Sequence, residues 1–300
     1  MNQQFRLYHV DAFTKERLLG NPAGVVPDAD GLTDAQMQKI ARELNNSETA
    51  FLLSPQDDSY DVQVRFFTPT REVPICGHAT VAAHYVRAQE NRLGAVRVLQ
   101  KTGAGILPVD IVPENGDYRI VMTQGKPEVS AALPDDAQAE LLTALGITED
   151  DRLRQFPVAV ASTGHSKVMI GIRDTAVLHG LQPDLQSLTA LSQKIGCNGY
   201  YVFTVHPNET PMIHGRMFAP AIGISEDPVT GNANGPLGAY LVHYGLVRHN
   251  GSLFPFQAMQ GEAIGRTGTM EVRVKIENDR PVEVQIIGNA VIAFSTELTL

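Results

Sequence analysis

The chain has 300 residues, 43% of them apolar and 19% charged, and a net charge of −9. That balance suits a globular protein with room for two domains of about 150 residues each. The negative charge argues against nucleic acid as a partner, because phosphate contacts need a basic surface. No apolar run approaches the roughly 20 residues of a membrane span, and the N-terminal residues lead into a strand-like segment with no signal-peptide core. Two cysteines, Cys76 and Cys197, cannot build a disulfide framework and point to a reducing, cytoplasmic setting.

In chain order, Phe5–Phe13 alternates like a strand, and Gly20-Asn21-Pro22-Ala23-Gly24 reads as a turn before the short apolar run Val25-Val26. Thr33 with Gln36 makes a capping-box pattern, opening a helix whose apolar stripe is Met37, Ile40, Ala41 and Leu44. Strands are expected at Ala50–Leu53 and Tyr60–Phe67, then a loop from Pro69 to Pro74. The next helix, Val81–Ala88, is apolar on nearly every side and should be buried on most faces. Val96–Leu99, Gly105–Val112 and Tyr118–Met122 read as further strands. Pro127–Asp136, rich in Pro, Ala and Asp, reads as a linker.

Beyond it the order starts again. A helix is expected at Ala137–Leu145, a strand at Phe156–Ala161, a turn at Thr163–Lys167, and a strand at Val168–Ile170. A helix at Leu185–Ile195 should end on Gly196. Strands are expected at Met270–Ile276, Val282–Ile287 and Ala290–Phe294. Within this order one motif occurs twice. Arg65-Phe-Phe-Thr-Pro69 and Arg216-Met-Phe-Ala-Pro220 share an R-x-F-x-P skeleton. Each is followed by an acidic residue and then by a Gly-x-Ala turn opening an apolar helix: Gly77-His78-Ala79 and Gly231-Asn232-Ala233. Such self-similarity predicts two related halves, each a curled sheet on one buried helix. Aligned by landmarks, Glu48 falls opposite Asn198, Cys76 opposite Thr230, and His78 opposite Asn232.

These helix starts are the first candidate for chemistry. A glycine at a helix entry lets backbone N–H groups face a ligand, and the helix N-terminus favours a carboxylate. Close helix–sheet packing would equally explain one such glycine, but two matched copies favour a site for an anionic small molecule. Glu48, at a helix-to-strand junction behind Asn45-Asn46-Ser47, is either a half-buried acid suited to proton transfer or a solvated loop group. His78 either donates to a substrate oxygen or satisfies loop carbonyls. Asp227, in Glu226-Asp227-Pro228, either orients His78 or caps a turn. No metal set is expected, since Cys76-x-His78 and His78 with His84 lack paired zinc spacing. Nucleotide-binding glycine loops and a nucleophile elbow are absent too.

The segments Val10-Asp-Ala-Phe13, Gly20-Asn-Pro-Ala-Gly-Val25, Ser47-Glu48-Thr49, Cys76-Gly-His-Ala-Thr80 and Glu226-Asp-Pro-Val-Thr-Gly-Asn-Ala-Asn234 span nearly the whole chain. In that order they resemble the phenazine-biosynthesis PhzF-like isomerases, in particular the YddE-type branch, a family related to diaminopimelate epimerase. The resemblance implies an α+β fold of two pseudo-symmetric lobes, residues 1–126 and 127–287, each a β-barrel-like sheet around a central helix. The first lobe would be completed by a strand near 288–300, and the site would lie in the cleft.

The resemblance also implies cofactor-free proton transfer within a small carboxylated, cyclic metabolite like trans-2,3-dihydro-3-hydroxyanthranilate. Glu48 would be the proton shuttle, assisted by His78 and Asp227, with Gly77, Gly231 and Asn232 at the substrate. A homodimer is the family expectation. Asn232 stands where the isomerase has Ser. Thr230 stands where the epimerases have a second cysteine, which argues against two-thiol racemisation and makes Cys76 a packed residue. The alternatives are an amino-acid epimerase or racemase, and a ligand-binding protein that keeps the fold.

Overall fold

The computed structural model describes residues 3–300. The chain divides into two compact units, Met1–Thr123 with Ile287–Leu300, and Gln124–Ile286.

In the first unit, Gln4–Ala12 pairs antiparallel with Asn21–Val26 on one side and with Ala290–Thr299 on the other. Asn21–Val26 then runs parallel to Thr49–Leu53, which is antiparallel to Val62–Phe67. Val62–Phe67 takes Glu72–Val73 antiparallel and Val96–Thr102 in parallel, and the hairpins through Gly105–Glu114 and Asp117–Thr123 close the run. Parallel neighbours cannot be joined by a tight turn, so helix α1 (Asp34–Leu44) fills the first crossover. Its capping box is formed by Thr33 and Gln36, and Met37, Ile40 and Ala41 are buried as their spacing predicts. Helix α2 (Gly77–Asn91) lies against the sheet with eleven buried residues, among them His78 and His84.

The second unit repeats these connections. Helix α3 (Asp135–Leu145) is followed by Ala159–Ser162, which pairs antiparallel with Glu128–Ala132 and with Lys167–Gly171. Lys167–Gly171 runs parallel to Tyr200–Val205 across a crossover holding α4 (Thr175–Gly180) and α5 (Leu185–Ile195), which ends on left-handed Gly196. Tyr200–Val205 is antiparallel to Ile213–Ala219, which takes Ile224–Asp227 antiparallel and Leu253–Gln260 in parallel. Gly268–Glu277 follows antiparallel. Helix α6 (Gly231–His243) is the buried counterpart of α2, also with eleven buried residues. Leu141, Leu145, Val168, Ile170, Leu188 and Tyr200 anchor a core under α3 and α5.

The repeated motif builds the same local device twice. Arg65 donates through Nε and a terminal nitrogen to both carboxylate oxygens of Glu72, at 2.8 and 2.7 Å. Arg216 does so to Glu226 at the same two distances. Each guanidinium also lies over the aromatic ring two residues on, Arg65 at 5.1 Å from the Phe67 centroid and Arg216 at 5.0 Å from that of Phe218.

Several expectations need correction. Gly20–Gly24 is no free turn, because Asn21–Val26 is a strand paired on both sides; pairing and burial override the Gly and Pro signals. Gly24 is there because an added Cβ would lie 2.7 Å from Thr49 Oγ1. Pro127–Asp136 is not a linker: it holds the strand Glu128–Ala132 and the start of α3. The helix expected at Val81–Ala88 begins four residues earlier, at Gly77. The strand expected at Phe156–Ala161 narrows to Ala159–Ser162.

The register also shifts one equivalence. Thr49 pairs with Phe67 and Tyr200 with Phe218, and both phenylalanines are the third residue of the motif. Thr49 therefore matches Tyr200, and Glu48 matches Gly199 rather than Asn198. A one-residue slip moves a side chain to the opposite face of a strand. The second unit thus has no carboxylate at this place, where an added Cβ would come within 2.7 Å of the Phe218 carbonyl.

Candidate active site

Glu48 sits where the α1 crossover enters the strand Thr49–Leu53, and its own carbonyl accepts from Gly24 N–H at 3.1 Å. The backbone at the acid is therefore part of the parallel ladder. Cys76 is the N-cap of α2, fixed by Thr80, whose N–H and hydroxyl both donate to the Cys76 carbonyl at 3.0 and 2.7 Å. These anchors bring three side chains of the first unit together. His78 Nε2 lies 3.4 Å from Glu48 Oε2 and 3.2 Å from Ser47 Oγ, while Nδ1 lies 3.4 Å from Cys76 Sγ. The His78 side chain is 8% exposed and that of Glu48 15%, so the carboxylate forms the open side of the group. An imidazole between a carboxylate and a thiol can hold a proton for either.

The start of α2 adds an electrostatic element. Its N-cap side chain makes no capping hydrogen bond, and its first turn carries no acid. The same holds for α6, whose N-cap is Thr230. First-turn amides left without a cap and the positive end of the helix dipole suit an anion. The glycines at these starts are not demanded by the packing of their own units. A Cβ on Gly77 would meet only Met122 Cε at 3.6 Å, and one on Gly231 would meet Ile286 at 3.7 Å, both ordinary contacts.

In the second unit Asp227, Gly231 and Asn232 surround the start of α6. The Thr230 hydroxyl donates to the Asp227 carboxylate. Gln260 Nε2 donates to the Asp227 carbonyl at 2.7 Å and to Thr230 Oγ1 at 3.0 Å, while its Oε1 accepts from Thr230 N–H at 3.1 Å. Asn234 joins through Gln260 Oε1 and receives the Tyr201 hydroxyl at 2.6 Å. Gln124 Nε2 reaches the Gly231 carbonyl at 3.0 Å and Asn232 Oδ1 at 3.1 Å. Burial pushes the Lys167 ammonium down to about 8, with the charge of Asp227 as the main opposing influence.

The structure thus brings Glu48 and His78 together on one unit and gathers Asp227, Gly231 and Asn232 on the other. Sequence reasoning missed the residues that hold them: Gln124, Tyr201 and Gln260 carry no local signal. It also treated Cys76 as packing alone; the thiol is buried, but beside His78. A 470 Å³ cavity lined by Arg6, Asp28, Asp61, Arg87 and Glu90 lies elsewhere on the first unit. Arg6 there is already paired with Asp28 and Glu90.

The model of the phenazine biosynthesis-like protein (PhzC-PhzF) family matches residues 10–296. The chain belongs to that family. An uncharacterized isomerase of Clostridium acetobutylicum is 60% identical over the full length of both chains. The trans-2,3-dihydro-3-hydroxyanthranilate isomerase of Pseudomonas chlororaphis is 33% identical over 94% of this chain and 95% of its own. Among solved structures, a phenazine biosynthesis protein of the PhzF family from Bacillus anthracis superposes with a TM-score of 0.89 at 31% identity, over 99% of this chain and 100% of that one. The protein is an isomerase of the PhzF family with the α+β fold of two sheet-and-helix units. Among its described residues no helix is long and apolar enough to cross a membrane.

Proposed function

We propose that this PhzF-family isomerase moves a proton between carbons of a small carboxylated, cyclic substrate of the trans-2,3-dihydro-3-hydroxyanthranilate class. Glu48 is the group that removes and returns the proton. His78 holds the carboxylate in place and supplies a hydrogen bond to the substrate. The observation that carries this reading is the Glu48–His78 pair, 3.4 Å apart, with the acid on the open side of the group and an uncapped helix start beside it. Removal of a proton at one carbon and delivery at another requires acid–base groups alone. The isomerase relative from Pseudomonas chlororaphis supports the substrate class.

In the same reading the first-turn amides at Gly77, beside Glu48 and His78, receive the substrate carboxylate. With Gly199 opposite Glu48, the duplication supplies one carboxylate of this kind, as a one-base shuttle requires.

The test is incubation of trans-2,3-dihydro-3-hydroxyanthranilate with the protein in D₂O, followed by NMR, with Glu48→Gln in parallel. Isomerisation by the wild type, and a loss of roughly a hundredfold or more in the variant, is the expected result. Deuterium at an inverted α-carbon of an amino acid, with no isomerisation, would replace this reading with epimerisation. Binding of the compound that survives Glu48→Gln without turnover would leave a binding protein on the same fold.

A further inference from the structure

We propose that Glu48, Cys76 and His78 form a binding site for a single thiophilic divalent cation, with Zn²⁺ as the best match. One carboxylate oxygen of Glu48, Sγ of Cys76 and one ring nitrogen of His78 all lie within 4.8 Å of one another. With Nε2 as the ligand atom, the separations to Glu48 Oε2 and Cys76 Sγ are 3.4 and 3.9 Å. Zinc bonds of about 2.0 Å to nitrogen and oxygen and 2.3 Å to sulfur, in tetrahedral array, place such ligands roughly 3.3–3.6 Å apart. The Glu48 contact already fits that range; Cys76 Sγ, nearer Nδ1 at 3.4 Å than Nε2 at 3.9 Å, reaches the ion by turning toward the Nε2 side of the ring.

The donor set decides the metal. One thiolate, one imidazole and one carboxylate suit Zn²⁺ and Co²⁺, whereas Mg²⁺ and Ca²⁺ take oxygen ligands. Three protein ligands leave a fourth position open to water or to Ser47 Oγ, itself 3.2 Å from His78 Nε2. The sequence conceals the site because Cys76-x-His78 is only a pair; the third ligand comes from a junction 28 residues earlier in the chain. Cys76 and His78 are buried, and the partly exposed Glu48 gives the ion its way in. A bound ion occupies the acid and the imidazole together, so it holds them out of any proton transfer until it is removed. The binding itself stands on the cluster geometry and does not depend on the isomerisation reading.

The experiment is titration of the metal-free full-length protein with Co²⁺, followed spectroscopically, then displacement by Zn²⁺. One equivalent of Co²⁺ should give tetrahedral d–d bands and a near-ultraviolet sulfur-to-cobalt charge-transfer band, both erased by Zn²⁺. Cys76→Ser should lose the charge-transfer band and Cys197→Ser should keep it. Glu48→Gln, with both sulfur and nitrogen intact, should bind at least roughly tenfold more weakly. A saturated titration without the charge-transfer band, its survival in Cys76→Ser, or wild-type affinity in Glu48→Gln would overturn the proposal.

Discussion

Arg65 and Arg216 grip a glutamate with the same geometry, but in different surroundings. Arg216 is 8% exposed and Glu226 13%, and its NH1 also donates to the carbonyls of Leu178, His179 and Leu181 at the end of α4. Arg216→Ala leaves a nearly buried carboxylate without its partner and takes a donor from three carbonyls, of which that of Leu178 keeps the Leu181 N–H, and should cost about 3–5 kcal/mol. Arg65 pairs with Glu72 and Asp34, which are 44% and 80% exposed, so Arg65→Ala should cost about 1 kcal/mol or less. Thermal unfolding of the two variants side by side checks the difference; equal losses would sink it. The glycines divide in a similar way. Gly77→Ala has room in its unit and should keep the melting temperature while lowering turnover, because the amide can no longer approach a carboxylate closely. Gly238→Ala would push a methyl to 2.7 Å from Val274 and 3.0 Å from Phe256, and should cost about 1–3 kcal/mol through overpacking. Full turnover in Gly77→Ala would remove the helix start from the proposed site.

At the scale of elements, local signals succeed where the local energy dominates. The Thr33–Gln36 capping box and the Gly196 terminus depend on neighbouring residues only, and both form as their sequence predicts. The segments at 20–24 and 127–136 depend on strands distant in sequence, and there Gly and Pro mislead. The strand Ala290–Thr299 is the strongest case: it pairs with Gln4–Ala12 over nine residues from the other end of the chain. Truncation after Gly288 should expose that edge and unfold the first unit. Hydrogen exchange should then show protection lost across Gln4–Ala12 and Asn21–Val26 but kept in Tyr200–Val205. Retained protection in Gln4–Ala12 would show that the strand is dispensable.

For the molecule as a whole, acid stability has a nameable source. His84 is fully buried on α2, hydrogen-bonded through Nε2 to Gln100 Oε1 at 3.0 Å, and burial pushes it down to about 4. Its folded-state value lies below that of the unfolded chain, so its contribution is complete above about pH 6.5. As pH falls from there toward 4 the unfolded chain takes up a proton that the folded one refuses, and up to about 3 kcal/mol is lost. His84→Leu should flatten denaturant midpoints between pH 4 and 7 relative to the wild type. An unchanged pH slope would assign the loss to other groups.

The sequence by itself determined the duplication and the buried helix of each half, and it nominated Glu48, His78 and Asp227 as candidates. Each was legible because it rests on a short motif or a local period. Tertiary structure decided the rest. It placed Gly199 rather than Asn198 opposite Glu48, because register is set by the pairing of Thr49 with Phe67 and Tyr200 with Phe218. It also joined Cys76 to His78 and Glu48, because a strand junction and a helix start come side by side only when the sheet closes on α2. Contacts of that kind depend on backbone paths tens of residues apart, and no local pattern records them.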